Sequence, residues 1–314
     1  MAAITDYEFG ISAIDSGLMR PGLDAIHLVV EQGRAALVDT GVNASLPLVL
    51  EALHEKGLRP EAVDFIILTH VHLDHAGGAG ALMRALPKAT LALHPRGARH
   101  MADPSRLVEG TIAVYGAEVA HRTYGEILPV ALERIREMPD GARLSLAGRE
   151  FVFLDTPGHA RHHACILDTL SGHIFTGDTF GLSYRELDCD GRQFIFPSAT
   201  PIQFDPAALH RSIDRLLALR PEAVYVTHYG QVRDIPRLGA DLHRLIDAHA
   251  EMARAERAAG ADRLDRLARG VTEILLGEAR RYNWRLATEA ILQVFAGDIT
   301  LNAQGLEAWL EAGA

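Results

Sequence analysis

The stretch Thr69-His70-Val71-His72-Leu73-Asp74-His75-Ala76-Gly77-Gly78 places four potential metal ligands within six residues. The run that leads into it, Phe65-Ile66-Ile67-Leu68, is short, aromatic and β-branched, and predicts a buried strand. Residues 76–86 predict a helix behind a Gly77-Gly78 hinge. The ligands therefore lie in a strand-to-helix turn. A turn can aim imidazoles and a carboxylate at one point, where a straight strand sends alternate side chains to opposite faces. One histidine in a core is ordinarily a hydrogen-bonded core residue. Three histidines and an aspartate spaced HxHxDH are donor types that zinc, iron and manganese accept, so the stretch predicts metal binding.

Strands and helices alternate on either side of this turn. Residues 8–14, 25–31 and 35–38 predict an antiparallel meander. Its last strand ends in Asp39-Thr40-Gly41, where Asp39 is either a loop cap or a carboxylate that orients a metal-bound histidine. Ser45 and Pro47 open a helix with Leu46, Val49, Leu50 and Leu53 on one face. Residues 90–93 predict another strand. Residues 94–140 carry mixed signals, and segments of this length often build lids or pocket walls. Met101, Tyr115 and Tyr124 are candidate pocket residues there. His94, His100 and His121 lack ligand spacing and are expected to be structural or at the surface.

Downstream, three more apolar strands end in potential ligands. The strand over 150–154, paired with 143–146 in a hairpin, runs into Thr156-Pro157-Gly158-His159. The strand at His173-Ile174-Phe175-Thr176 runs into Gly177-Asp178-Thr179. The strand over 223–226 runs into Thr227-His228. Between the last two, Asp205-Pro206 opens a helix with Leu209, Ile213, Leu216 and Leu217 on its buried face. From Pro236 onward the pattern is helical, with Leu238, Leu242, Leu245, His249 and Met252 on one face. His243 and His249 are expected to be surface or packing residues. This organisation predicts a catalytic domain over 1–235 and a helical extension over 236–314, with no internal repeat at a fixed short period.

Composition narrows the function classes. The chain has 314 residues, 48% of them hydrophobic, which suffices for a sizeable core. A net charge of −10 argues against a general nucleic-acid binder. Two cysteines make no disulfide framework. Cys165 lies in an apolar run and is expected to be buried, whereas Cys189 lies in a polar stretch and is expected to be exposed. The first ten residues lack the basic and apolar regions of a signal peptide, and no apolar run is long enough to span a membrane. The expectation is a cytoplasmic protein with a small-molecule substrate and neither nucleic-acid nor membrane partners. The amphipathic tail could cover the core or build a homodimer.

Taken together, His70, His72, Asp74, His75, His159, Asp178 and His228 stand in the order HxHxDH, H, D, H at strand ends. This resembles the metallo-β-lactamase fold superfamily over residues 7–234, and Asp39-Thr40-Gly41 supports the match. The resemblance implies an α/β fold, an αββα sandwich with the site at one edge of its two sheets, followed by a C-terminal helical extension. It further implies two divalent metal ions, zinc foremost, with iron and manganese also suited. His70, His72 and His159 would hold the first, Asp74, His75 and His228 the second, and Asp178 would bridge them. Such a pair deprotonates a water near neutral pH for attack on a carbonyl or phosphoryl centre. Asp74 could also relay a proton to the leaving group.

Within the superfamily, Asp178 disfavours antibiotic hydrolysis and His72 disfavours the flavodiiron branch. What remains is similar to glyoxalase II and the lactonases, which hydrolyse thioesters or lactones, although the glutathione-binding residues of glyoxalase II are not matched. Tyr184 is a candidate oxyanion donor, with a pocket wall as the other reading. Phe180, Phe194, Phe196 and Ile202 are either an apolar acyl pocket or, more commonly for such residues, core. The expected function is metal-dependent hydrolysis of a carboxylic ester, lactone or thioester. The alternatives are a mononuclear iron persulfide dioxygenase on His70, His159 and Asp178, and a phosphodiesterase on the same metals.

Overall fold

The computed structural model describes residues 2–313. Contacts divide the chain into two units. The first comprises residues 1–155, 162–177 and 222–231, and the second comprises 156–161, 178–221 and 232–314.

Seven strands form the first sheet, in sequence order: β1 (Ile4–Asp6), β2 (Ile11–Asp15), β3 (Ala25–Glu31), β4 (Arg34–Val38), β5 (Val63–Ile67), β6 (Thr90–Leu93) and β7 (Ile135–Glu137). The predicted meander makes β2 to β4, β1 extends it as an antiparallel edge strand that the sequence reading did not include, and β4 to β7 run parallel. Parallel neighbours need crossover connections. These carry α1 (Leu46–Glu55), α2 (Leu73–Ala76), α3 (Ala79–Ala85), α4 (Pro95–Ala102), α5 (Ser105–Tyr115) and α6 (Ala117–Tyr124). The second sheet has the order β13-β12-β11-β10-β9-β8, formed by β8 (Arg143–Leu146), β9 (Arg149–Asp155), β10 (Ala164–Asp168), β11 (Ile174–Gly177), β12 (Ala223–Val226) and β13 (Gly230–Arg233).

Alternation along each strand builds two cores from the first sheet. Leu28, Leu37 and Ile66 face Val49, Leu53 and Leu82 of the crossover helices. Their sequence neighbours Val29, Val38 and Ile67 face Phe151, Phe153, Ile166 and Phe175 of the second sheet. The sheets thus pack face to face over an aromatic interior, each fully buried large side chain contributing about 1.5–3 kcal/mol. A buried ion pair straps the second sheet, with Arg149 Nε and Nη2 donating to Asp168 at 2.9 and 2.6 Å.

The ligand turn begins where β5 stops. Gly77-Gly78 is not a hinge, because both residues hold the helical backbone region. A Cβ on Gly78 would lie 2.7 Å from the Thr40 carbonyl oxygen and 2.8 Å from that of Val42. The glycine is there to let the Asp39-Thr40-Gly41 loop approach, and the Gly78 amide donates to the Gly41 carbonyl at 2.9 Å.

The second unit carries α7 (Pro206–Ala218), α8 (Ile235–Ala255), α9 (Arg263–Tyr282), α10 (Thr288–Val294) and α11 (Ala296–Glu311). Asp205 caps α7 as its sequence requires, accepting from the Ala208 amide at 2.9 Å, and Leu209, Ile213 and Leu216 are buried. Phe194, Phe196, Trp284 and Phe295 pack as an aromatic cluster in this unit. Phe180, Phe194 and Phe196 are fully buried and Ile202 is exposed, so these four are core and surface and line no acyl pocket. Cys189 is buried, contrary to expectation. Its polar neighbours point outward while its thiol donates to the Asn283 carbonyl at 3.2 Å, which ties the loop to the end of α9. No helix among the described residues is long and apolar enough to cross a membrane.

Candidate metal centre

In the first unit, one carboxylate organises the turn. Asp39 accepts from the Thr69 amide at 2.9 Å, the Thr69 hydroxyl at 2.9 Å, His75 Nδ1 at 2.8 Å and the Thr227 hydroxyl at 2.9 Å. The ends of β4, β5 and β12 are thereby drawn to a single buried side chain. Of the two roles open to Asp39, the structure gives it that of orienting His75.

Asp74, His75 and His228 come together here, each offering a ligand atom within 4.8 Å of the others. His75 Nε2 lies 3.6 Å from Asp74 Oδ2, and His228 Nε2 lies 3.5 Å from the same oxygen. His228 Nδ1 donates to the Leu23 carbonyl at 2.9 Å. His70 and His72 stand beside them, with His70 Nε2 2.9 Å from His72 Nδ1 and the His70 and His75 rings 4.0 Å apart. In the second unit, His159 Nε2 lies 3.5 Å from Asp178 Oδ2. Ser198 holds both: its carbonyl accepts from His159 Nδ1 at 3.1 Å, and its hydroxyl donates to Asp178 at 3.1 Å.

The donor chemistry fits a cation. His75, His228 and His159 each spend one ring N–H on a carboxylate or a backbone carbonyl. In the neutral imidazole that fixes the tautomer and leaves the other nitrogen as a lone pair. In all three the lone pair faces a carboxylate oxygen about 3.5 Å away. Two electron-rich atoms so placed repel one another unless a positive charge lies between them. An imidazole held from behind by a carboxylate or carbonyl is the usual environment of a metal-ligating histidine.

Three residues that the sequence did not single out belong to these surroundings. Asp24 is buried, with neither carboxylate oxygen hydrogen-bonded among the described residues. Its flanks are pinned by Leu23 to His228 and by the Ala25 amide, which donates to the Thr227 carbonyl at 2.9 Å. Burial pushes its carboxyl up to about 7, against the pull of His228 and His75. Ser198 is the second. Asn302 on α11 is the third: it donates to the Pro197 carbonyl at 3.0 Å and accepts from the Ala199 amide at 2.6 Å, fixing the loop that carries Ser198.

The remaining candidates are dispersed. The Tyr184 phenol is buried and donates to Asp298 at 3.0 Å, with its ring edge-on to Phe295. An oxyanion role would require it to give up that bond. Tyr124 is buried beside Leu73, Ile127 and Val42. Burial foremost, then the charge of Asp74, holds its phenol protonated well above the usual range. Met101 is core.

A profile of the metallo-beta-lactamase superfamily matches residues 20–228, two thirds of the chain. The chain belongs to the metallo-beta-lactamase superfamily. Among its relatives, a hydroxyacylglutathione hydrolase of Xanthomonas campestris is 30% identical over 197 residues, covering 63% of this chain and 56% of the relative. The chain thus spans little more than half the length of the curated hydrolases it matches. Two solved superfamily structures share its fold. One is ST1585 from Sulfolobus tokodaii, at TM-score 0.65 and 21% identity, covering 95% of this chain and 98% of the other. The other is TTHA1429 from Thermus thermophilus, at TM-score 0.67 and 22% identity, covering 96% and 93%. The α/β architecture of two sheets with helices in the C-terminal region is therefore that of the superfamily, as the sequence motifs implied.

Proposed function

We propose that this protein is a metal-dependent hydrolase of small carboxylic esters, lactones or thioesters, working on a dinuclear centre. The observation that carries the reading is the Asp74, His75 and His228 cluster, whose imidazole lone pairs are aimed at a carboxylate oxygen. In this reading His70, His72 and His159 would hold one divalent ion, Asp74, His75 and His228 would hold another, and Asp178 would serve both. Zinc suits this donor set, and iron and manganese are compatible with it. The ions, when bound, supply Lewis acidity and a water acidified into the neutral range.

The chain's own residues do the rest. Asp39, Ser198 and the Leu23 carbonyl hold the imidazoles in the ligating tautomer, so that little reorganisation is needed on reaction. Asp74, partly open to solvent, can pass a proton to the leaving oxygen or sulfur. The kinship with proteins named hydroxyacylglutathione hydrolase supports thioesters as a substrate class.

The test is a screen of metal-loaded protein against p-nitrophenyl esters, acyl thioesters, lactones and bis-p-nitrophenyl phosphate, with Asp178→Ala as control. Hydrolysis of an acyl substrate by the wild type and its loss in the variant is the expected result. Turnover of the phosphodiester alone overturns the acyl reading. One iron per chain with sulfur-dependent oxygen uptake overturns the hydrolase reading altogether.

A further inference from the structure

The hexapeptide Leu209-His210-Arg211-Ser212-Ile213-Asp214 on α7 recurs on α8 as Leu242-His243-Arg244-Leu245-Ile246-Asp247, identical at five of six positions. It is a single duplication rather than an array. In each copy the leucine and isoleucine are buried, and the histidine and aspartate, one helical turn apart, stand toward the surface.

The two copies meet. Each histidine bonds to the aspartate of the other helix: His210 Nε2 to Asp247 Oδ1 at 3.0 Å, and His243 Nε2 to Asp214 Oδ1 at 3.2 Å. The ring centroids lie 4.9 Å apart with the ring planes 11° from parallel. Their Nδ1 atoms are 2.6 Å apart. A carboxylate only accepts, so both Nε2 atoms carry hydrogen. In the neutral imidazoles both Nδ1 atoms are then bare lone pairs, directed at each other at less than a normal hydrogen-bond length. A cation between them removes that repulsion. Burial holds the His243 imidazole below its usual range, in the neutral form that can ligate.

We propose that His210 and His243 form a separate cation site at the surface of the helical unit, in which zinc or a similar borderline divalent ion sits between the two Nδ1 atoms. The arrangement on each side, aspartate to Nε2–H and Nδ1 to the ion, is the carboxylate–histidine–metal geometry. Zinc–nitrogen bonds of about 2.0–2.1 Å at a tetrahedral angle need a nitrogen separation of about 3.3 Å. The rings must part by less than about 1 Å, and both side chains are a quarter exposed and at liberty to do so. Water completes the coordination, so the site is weak and exchangeable. Bound there, the ion ties α7 to α8.

Zinc uptake by metal-loaded protein is measured at pH 7.5 by competition with a chromophoric chelator, together with the melting temperature. The wild type is expected to take one equivalent more than His243→Ala or His210→Ala, and to melt higher when that equivalent is added. Asp214→Asn/Asp247→Asn should keep the site but weaken it by about ten- to a hundredfold. Circular dichroism in excess chelator establishes that the variants fold. Equal stoichiometry in wild type and His243→Ala overturns the proposal. So does an imidazole 15N spectrum that shows one proton shared by the pair and no change on adding zinc, which would make the occupant a proton.

Discussion

Asp39 is the most informative position to perturb, because it serves the fold and the candidate metal centre together. It accepts four hydrogen bonds from Thr69, His75 and Thr227. The threonine hydroxyls can turn to other acceptors. The Thr69 amide and His75 Nδ1–H cannot, and both residues are buried. Each donor left unsatisfied costs about 1–3 kcal/mol, so Asp39→Ala should lose about 2–6 kcal/mol. Asp39→Asn keeps the shape and one oxygen but turns an NH2 toward a donor, for a loss of about 1–3 kcal/mol. It also removes the charge that holds His75 with Nε2 toward Asp74, which predicts a ten- to hundredfold drop in affinity at that half of the centre, on the order seen for lost orienting partners. Urea unfolding in excess chelator gives the stability term alone. Chelator competition on folded protein gives the metal term alone. If Asp39→Asn matches the wild type in both, Asp39 is a loop cap and the orienting role is wrong.

Asp24 gives a pH test on metal-free protein. Its carboxyl is neutral in the fold up to about pH 7, whereas in the unfolded chain it ionises near 3.8, the ordinary range of an aspartate. The folded state therefore loses stability as pH rises from about 4 to 7, by on the order of 4 kcal/mol. Asp24→Asn should flatten that slope in urea titrations across this range; an unchanged slope would show that Asp24 is ionised in the fold. Asn302→Ala should destabilise by about 1–3 kcal/mol through the orphaned Ala199 amide. It should also weaken metal binding at His159 and Asp178, read by chelator competition, because Ser198 lies between the two residues that Asn302 anchors. Gly305→Ala should be the more damaging α11 variant, since its Cβ would lie 1.7 Å from the Ala199 carbonyl oxygen; a wild-type melting temperature would refute that contact.

The strand-end placement of the candidate ligands was legible because both of its signals are local. An apolar run of four or five residues names the strand, and a histidine or aspartate just after it names the position, as in Phe65 to His70 and Ile174 to Asp178. The two-sheet sandwich was legible only through the resemblance, because a strand with both faces apolar, such as the one carrying Leu28 and Val29, does not say what covers either face. Asp24, Ser198 and Asn302 left no such trace. Ser198 acts on His159 through a backbone carbonyl, which any residue supplies. Asn302 acts on a loop about a hundred residues away, as its bonds to Pro197 and Ala199 record. Cys189 was misjudged because its burial depends on a contact with the end of α9, about ninety residues away, rather than on anything nearby in sequence.

The C-terminal helices consequently have a role that their sequence does not announce. They carry none of the seven candidate ligands. Yet Asn302 on α11 fixes residues 197–199, Ser198 in that loop holds His159 and Asp178, and Gly305 lets α11 approach closely enough for this to happen. A ligand pair held by one serine is only as well placed as the loop that bears it. The helical region is thus part of the support for the candidate centre within its own unit. Truncation before α11 should therefore cost metal affinity at His159 and Asp178 even in preparations where Asp74, His75 and His228 still bind.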